Sequence, residues 1–502
     1  MAGVERDDSL RPHAGALFVA GLAVAFLAVR WPLYIEPGIR LGWNSDAALY
    51  GLMARTMLET HRPIFLFWGG DYLGTLTSMW AVLASLPMGT AGPLALRLGV
   101  AAELLVSLVL FWLGLRRIYG WPAASLAIAW LGAGPFFLFK LSYAPVSAEQ
   151  MFFVGSIAFW YAVRSPFTRP VQWLALGAVC GLGWWAHRGA LLVVLPAAIV
   201  AAAYDGWFRP LRRLGTAVVC SGCGFVIGLL PQLFGQSEID QRLYTPLTPS
   251  WSVHHVREQI SVTLQTDLWS FLGTDTTSLP PWLGGAFVLL LVAFGLHALP
   301  LTRGHAVALA VLSTVFGFWI LSPMAYSGAV RYLVAALPIV YALAARGIVR
   351  LGGTGRIGAV VAVVMALAIA AALYVPRNQD ALAVAGGRRE QHEHWPGGFD
   401  PRPVLVQLDR ERYPVCYADF WLAYKLEWLS DSGAQFIPYR SVNSTQVRSI
   451  RLSSAPGRKC FVALDGTVHT LTRSEEAGLR ADTIDLVRGR PWLLGTGASA
   501  RR

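Results

Sequence analysis

The stretch from Gly42 to Thr77 carries Asp46, Arg55, Glu59, His61, Arg62 and Asp71 among tryptophan, tyrosine and glycine. Its carboxylates can accept protons or hold cations, and its arginines can hold anionic oxygens. Apolar runs flank it, and hydrocarbon cannot satisfy its backbone and charges, so it must sit in water or line a protein-enclosed cavity. That makes it the first candidate for a site. Asp46 can cap a helix over Ala47 to Glu59, its carboxylate meeting free backbone N–H groups, and capping alone would also account for an acid there. On that helix Leu49, Met53, Ala54 and Met57 form one apolar stripe, which predicts a helix lying along the membrane interface. The segment FLFWGGDYLGT, with Asp71 and Tyr72, then offers a glycine-rich turn that lets backbone approach a ligand.

The elements that must position this stretch are membrane helices. Residues are 55% hydrophobic and 14% charged, with a mean hydropathy of +0.50, which excludes most soluble folds. Apolar runs at 14–36, 93–115, 121–139, 150–163, 173–187, 189–204, 214–234, 282–300, 304–322, 330–345 and 357–375 predict about eleven spans. The first run has no signal-peptide cleavage pattern before it and reads as a retained anchor. The net charge of +12 could suggest nucleic acid, but the arginines fall mostly in short loops between apolar runs, where they orient a membrane protein. Nearly all the positive charge is arginine, the lysines being Lys140, Lys425 and Lys459. This looks like the codon bias of a GC-rich genome and suggests a bacterial inner membrane.

With the N-terminus in the cytoplasm, Arg116, Arg117, Arg164, Arg169, Arg209, Arg212, Arg213, Arg303, Arg346, Arg350 and Arg356 all fall in inside loops. The outside then collects a first loop at 37–92, the turn holding Glu149, the AHRG turn with His187 and Arg188, a second long loop at 235–281, and the turn with Arg331 and Tyr332. Arg188 and Arg331 are exceptions to the charge rule. Each can snorkel to the interface or meet an anionic partner. The 235–281 loop reads either as a partly helical lid facing an acceptor or as a passive surface loop.

A transmembrane module thus covers 1–376, and 377–502 reads as a soluble extracytoplasmic α/β domain. In that tail VLVQL, PVCYA, FIPY and KCFVAL are short apolar stretches of the strand type, with FWLAYKLEWLS as a helix. Cys416 and Cys460, on two of those stretches, either form a disulfide in an oxidising compartment or stay as buried thiols. Three motifs are set aside. Gly353, Gly355 and Gly358 follow no strand and read as a turn; Cys220 and Cys223 lie inside a span, where small residues serve packing; His392 and His394 lack further ligands for a metal.

The run DAALYGLMAR from Asp46, followed by DYLGTLTSMWAVLASLPMG and RLGVAAELL, resembles the first outside loop of the GT-C superfamily of polyprenyl-phosphate-sugar-dependent glycosyltransferases. The nearest branch is that of protein O-mannosyltransferases and aminoarabinose transferases. GLGWWAHRGALLVVLP is similar to the family's G-L-x-x-L-T-K-G element, GAVRYLVAALPIVYALAARG to its R-Y/F-x-x-P-x-x-P element, and PVCYADFWLAYKLEWLSDSG to the outside tail of bacterial members. The resemblance implies a GT-C-like membrane fold with Asp46 at the position of the catalytic base and Arg188 at that of a lysine contacting the lipid phosphate. Glu149 falls near the second acidic position, and Arg331 on the basic residue of the R-Y element. Tyr72 is followed by Leu-Gly-Thr-Leu-Thr rather than the Y-x-E-K-P-P of aminoarabinose transferases, so the resemblance names neither donor nor acceptor.

Inverting transfer from a sugar-phosphate lipid needs a carboxylate to take the acceptor's proton and cations to hold the departing phosphate. The expected base is Asp46. Arg188 and Arg331 with Tyr332, helped by Arg55 and His187, would hold phosphate, while Asp71, Tyr72 and Glu149 would orient sugar or acceptor. No cofactor is required, and a divalent cation is compatible with these dispersed acids without being established by them. The partners are a donor lipid, a glycan, lipid or protein acceptor, and the membrane, with no nucleic acid. The alternative is a carrier or flippase that binds a lipid-linked sugar or another anionic solute without making a bond. Such a carrier would be favoured by an internal hydropathy repeat, and none is evident.

Overall fold

The computed structural model describes residues 11–35, 45–68, 73–133, 145–164, 166–208, 211–235, 253–263, 289–290, 292–297, 302–321, 333–369, 402–411, 415–430, 435–439, 459–464 and 484–489, with a few isolated positions between them. Arg11–Arg30 is α1, Ser45–Thr60 α2, Leu76–Ser85 α3, Pro93–Tyr119 α4 and Trp121–Ala133 α5. Ala148–Arg164 is α6, Pro170–Ala186 α7, Leu191–Tyr204 α8, Leu211–Gly235 α9 and Val253–Val262 α10. Arg303–Leu321 is α11, Leu337–Gly352 α12 and Arg356–Ile369 α13. Among the described residues five helical stretches are long and apolar enough to cross a membrane: Ala14–Leu33, Pro93–Tyr119, Leu211–Gly235, Arg303–Leu321 and Leu333–Gly352. Each apolar run read from the sequence has helix in it; in 282–300 the described residues, 289–290 and 292–297, are helical and the rest lie outside the described residues.

Local chemistry sets the helix ends. Pro93 opens α4, where its missing N–H costs nothing, and Gly120 closes it at φ 86 after Arg116 and Arg117 in the last turn. Ahead of α7 the backbone N–H groups of Thr168 and Arg169 both donate to Gln172 Oε1, at 2.7 and 2.9 Å. Packing relies on small residues. A Cβ on Gly177 or Gly181 of α7 would run into the backbone of α9, and one on Gly224 or Gly228 of α9 into that of α7. The two GxxxG faces therefore lie backbone to backbone. Between α4 and α6, Phe111 packs against Phe152 and Phe159 with ring centroids 5.1 and 5.5 Å apart.

At the end of the bundle opposite the first loop, one acid ties three connections together. Asp205 Oδ2 accepts the Phe167 backbone N–H at 2.7 Å and pairs with Arg303 Nη2 at 2.9 Å. The Arg303 guanidinium also lies 5.5 Å from the Phe167 ring centre. Asp205→Ala would leave Arg303 and the Phe167 N–H without their acceptor. The expected loss is about 2 kcal/mol, less than for a fully buried pair because Arg303 keeps some water contact. A lowered thermal midpoint in detergent reads it, and an unchanged midpoint would refute the latch.

In the tail, Arg402–Glu411 is α14 and Phe420–Leu429 is α15. Strands β1 (Val415–Asp419), β2 (Gln435–Tyr439), β3 (Lys459–Leu464) and β4 (Ile484–Gly489) form one parallel sheet in the order β2-β1-β3-β4. VLVQL is therefore helical rather than a strand. Val404 and Leu408, one turn apart, are its buried residues, and that is a helical period rather than an alternation. The strand IDLVRG was not anticipated. Cys416 and Cys460 are register partners on β1 and β3 and are joined by a disulfide. Along α15, Leu422, Ala423 and Leu426 face the sheet core, whereas Tyr424 and Trp428 enter the core of the membrane helices.

Candidate functional site

The helix expected over Ala47–Glu59 is α2, and it begins at Ser45, so Asp46 lies inside its first turn rather than ahead of it. Ala47 to Ala54 are all buried, which corrects the expectation of a half-exposed helix on the membrane interface. The cause is tertiary: α3, α4 and α15 pack around α2. Tyr50, one turn beyond Asp46 and on the same face, packs its ring 4.7 Å from that of Phe67. Its backbone carbonyl accepts a hydrogen bond from Ser78 Oγ at 3.0 Å.

After α2 the chain doubles back on itself. Phe67 N–H donates to the Leu73 carbonyl at 3.0 Å, and Leu66 bridges Gly74. Leu73 bridges His187 in turn, and Gly74 N–H donates to the Ala186 carbonyl at 3.1 Å. Trp185 Nε1 closes the join by donating to the Phe65 carbonyl at 2.6 Å. A Cβ on Gly74 would stand 2.8 Å from the Trp185 ring and 3.0 Å from Ala186 Cα, so only glycine lets the two segments touch. The first loop and the AHRG turn are thus one unit. In that turn His187 is buried and its Nδ1 accepts from Gly189 N–H at 3.0 Å, while Arg188 is exposed with its guanidinium 5.1 Å from the Trp184 ring centre.

The start of α6 completes the arrangement. Gln150 Nε2 donates to Tyr50 Oη at 2.8 Å and to the Gly74 carbonyl at 3.3 Å, joining α2, the loop and α6. Its neighbour Glu149 is fully buried and turns back on the two residues just ahead of its own helix, accepting from Ser147 N–H at 3.0 Å and Val146 N–H at 3.2 Å. Ser147 holds φ 72, a strained value for a non-glycine residue that this capping supports. Glu149 Oε1 also accepts from Thr77 Oγ1 at 3.2 Å, and the same hydroxyl lies 3.0 Å from Glu103 Oε2 on α4. Among the described residues Glu103 Oε1, which is buried, has no hydrogen-bond partner.

The elements that carry several of the sequence-derived residues meet here: α2 with Asp46 in its first turn, the head of α6 with Glu149, and the AHRG turn with His187 and Arg188. Arg55 does not join them. Nine residues separate it from Asp46, and at about 100° per residue the two leave α2 on opposite faces. Its Nη2 donates to the Trp428 carbonyl at 2.8 Å. Asp71, Tyr72, Arg331 and Tyr332 lie outside the described residues. In the second long loop the described part is α10, whose end leans on α11 through Trp319 Nε1 donating to Thr263 Oγ1 at 3.2 Å. Among the described residues no three of His, Cys, Asp or Glu are grouped to hold a metal ion.

Sequence reasoning missed Glu103, Thr77 and Gln150. It also missed two buried arginines at the loop end of α1. Arg30 donates to Ser142 Oγ at 2.9 Å and to the Gly132 carbonyl at 2.8 Å, and Arg97 donates to the Leu33 carbonyl. The usable signal for Glu103 was an acid within an apolar span, which is rarely there without a task.

No protein-family model matches the chain, and no curated protein matches it. Among solved structures, ArnT from Cupriavidus metallidurans bound to undecaprenyl phosphate aligns with TM-score 0.56 and 16% identity, over 86% of this chain and 87% of that one. The same protein in the apo state aligns with TM-score 0.53 and 14% identity, over 87% of each chain. At these identities the likeness is one of fold, and it extends over most of both chains. The oligosaccharyltransferase of Archaeoglobus fulgidus aligns more loosely, with TM-score 0.48 and 13% identity, over 86% of this chain and 65% of that one.

Proposed function

We propose that this chain is an integral-membrane glycosyltransferase that moves a sugar from a polyprenyl-phosphate carrier to an extracytoplasmic acceptor by inverting displacement. The observation that carries the reading is the junction of α2, the first loop, the head of α6 and the AHRG turn. Four stretches far apart in sequence meet at one end of the bundle and bring an acid-bearing helix face beside a basic turn. In the reaction, the Asp46 carboxylate takes the acceptor's proton as the acceptor atom attacks the anomeric carbon. The bond from that carbon to the phosphate oxygen breaks, and the charge left on the phosphate is held by Arg188 and Arg331. His187 and Tyr332 assist at the phosphate, and Asp71, Tyr72 and Glu149 orient the sugar or the acceptor.

The fold shared with ArnT, whose crystal structure holds undecaprenyl phosphate, supports a polyprenyl-phosphate donor. The reading carries about eleven spans in a bacterial inner membrane, with the N-terminus cytoplasmic and the tail outside. The disulfide between Cys416 and Cys460 supports an oxidising compartment for that tail.

The test is release of radiolabel from a panel of polyprenyl-phosphate monosaccharides by the purified protein in native lipid extract. Transfer, or slow hydrolysis, of one donor is the expected result, and it names the sugar. A folded protein that binds a donor and never consumes it would be a carrier, and the transferase reading would be lost.

A further inference from the structure

Gly51 sits inside α2, where glycine weakens a helix. Its place is explained from outside the helix. A Cβ there would fall 2.7 Å from the indole Nε1 of Trp428 and closer still to the ring carbons. Trp428 is 1% exposed, and with Tyr424 one turn earlier it takes α15 into the core of the membrane helices. One turn further along α2, Arg55 Nη2 donates to the Trp428 carbonyl at 2.8 Å, meeting one of the carbonyls that a helix end leaves without an internal partner. Two contacts a turn apart therefore fix the last turn of α15 to one face of α2. The face turned away from Arg55 carries Asp46, with Tyr50 one turn on. Behind α15 the support is rigid, because it follows directly on β1, which is tied to β3 by backbone pairing and by the Cys416–Cys460 bridge.

We propose that Trp428 is a positioning residue for the transfer reaction: seated on Gly51, it sets the height and rotation of α2 and so aims Asp46 from behind. The tail is then a working part of the site. The proposal rests on the transferase reading for its kinetic consequence and on geometry alone for its mechanical one, and the experiment separates the two.

Full-length wild type, Trp428→Leu, Trp428→Phe, Gly51→Ala and the double variant Gly51→Ala with Trp428→Leu are compared in lipid nanodiscs, by hydrogen exchange and by donor turnover. In Trp428→Leu the amides of residues 47–60 exchange about 10-fold faster while those of α4 and α6 do not change. Its kcat falls about 100-fold, with the KM for donor within about 3-fold of wild type. Trp428→Phe, which keeps a ring on Gly51, recovers most of both. Gly51→Ala loses turnover through the clash, and the double variant, with the ring gone, is more active and better protected in 47–60 than Gly51→Ala alone. Wild-type exchange and kcat in Trp428→Leu would overturn the proposal. So would exchange that rises equally in every helix, or a double variant no better than Gly51→Ala. If wild type turns over no donor, the transferase reading fails by itself, and the exchange in residues 47–60 with its recovery in the double variant still decides whether Trp428 holds α2.

Discussion

Asp46→Asn is expected to lower sugar transfer about 1,000-fold, the scale of losing a general base, while the protein stays folded and binds donor lipid as before. The substitution separates two roles that the position of Asp46 allows. In the first turn of α2 an acid is favoured by the helix dipole, worth at most about 1 kcal/mol at a partly exposed site. Asparagine keeps the size of the side chain and an acceptor oxygen there and gives up only that dipole contribution. The surrounding web does not depend on the charge either: Tyr50, Ser78, Gln150 and Gly74 keep their bonds when the carboxylate becomes an amide. What asparagine cannot do is take a proton from an acceptor at neutral pH. The measurement is turnover of the donor found in the panel, beside donor binding and the thermal midpoint. Turnover near wild type would remove Asp46 from the mechanism, and a collapse of the midpoint would make it a structural acid.

The sequence was most legible where a local rule sufficed. Apolar run length marked helices, five of which, among the described residues, are long and apolar enough to cross a membrane. The FWLAYKLEWLS helix and three of the strands followed from short-range pattern, whereas the sequence left Cys416 and Cys460 open between a disulfide and two buried thiols, and the β1–β3 register joins them. Errors arose where a distant segment supplied the deciding contact. The helix at Asp46 looks half-apolar in isolation, and α15, more than 350 residues later, is one of the three helices that bury it. VLVQL reads equally well as a buried strand or as one stripe of a helix, and its packing decides for the helix. Glu103 stood in plain view within RLGVAAELL. Its meaning depends on Thr77, which lies on α3, and α3 was read as part of a loop. Arg55 shows the reverse case: its charge and its closeness to Asp46 suggested phosphate, and helical phase sends it to the opposite face.

The acids that the sequence did not pair give the second large expected effect. Thr77 Oγ1 stands within hydrogen-bond distance of Glu103 Oε2 and of Glu149 Oε1, all three side chains being fully buried. A hydroxyl has one hydrogen to give, so it cannot serve two carboxylate oxygens as a donor; one of the contacts needs a donor on the other side. Glu103→Gln supplies that donor. Its amide N–H₂ can give to Thr77 Oγ1 while Thr77 gives to Glu149, and a potential like-charge contact disappears from the interior. The expected change in stability is within about 1 kcal/mol of zero, on the stabilising side. Thr77→Val removes the mediator at nearly constant volume and leaves two buried carboxyls facing each other, with Glu103 already lacking a partner for Oε1. The cost should be about 3 kcal/mol. In the double variant the loss should shrink by about 1 kcal/mol or more, because the second carboxyl that made the valine harmful is gone. Thermal or denaturant midpoints of the three variants, with Glu103→Ala beside them, test this directly. A silent Thr77→Val, or a Glu103→Gln as damaging as Glu103→Ala, would mean that the hydroxyl does not mediate between the two acids.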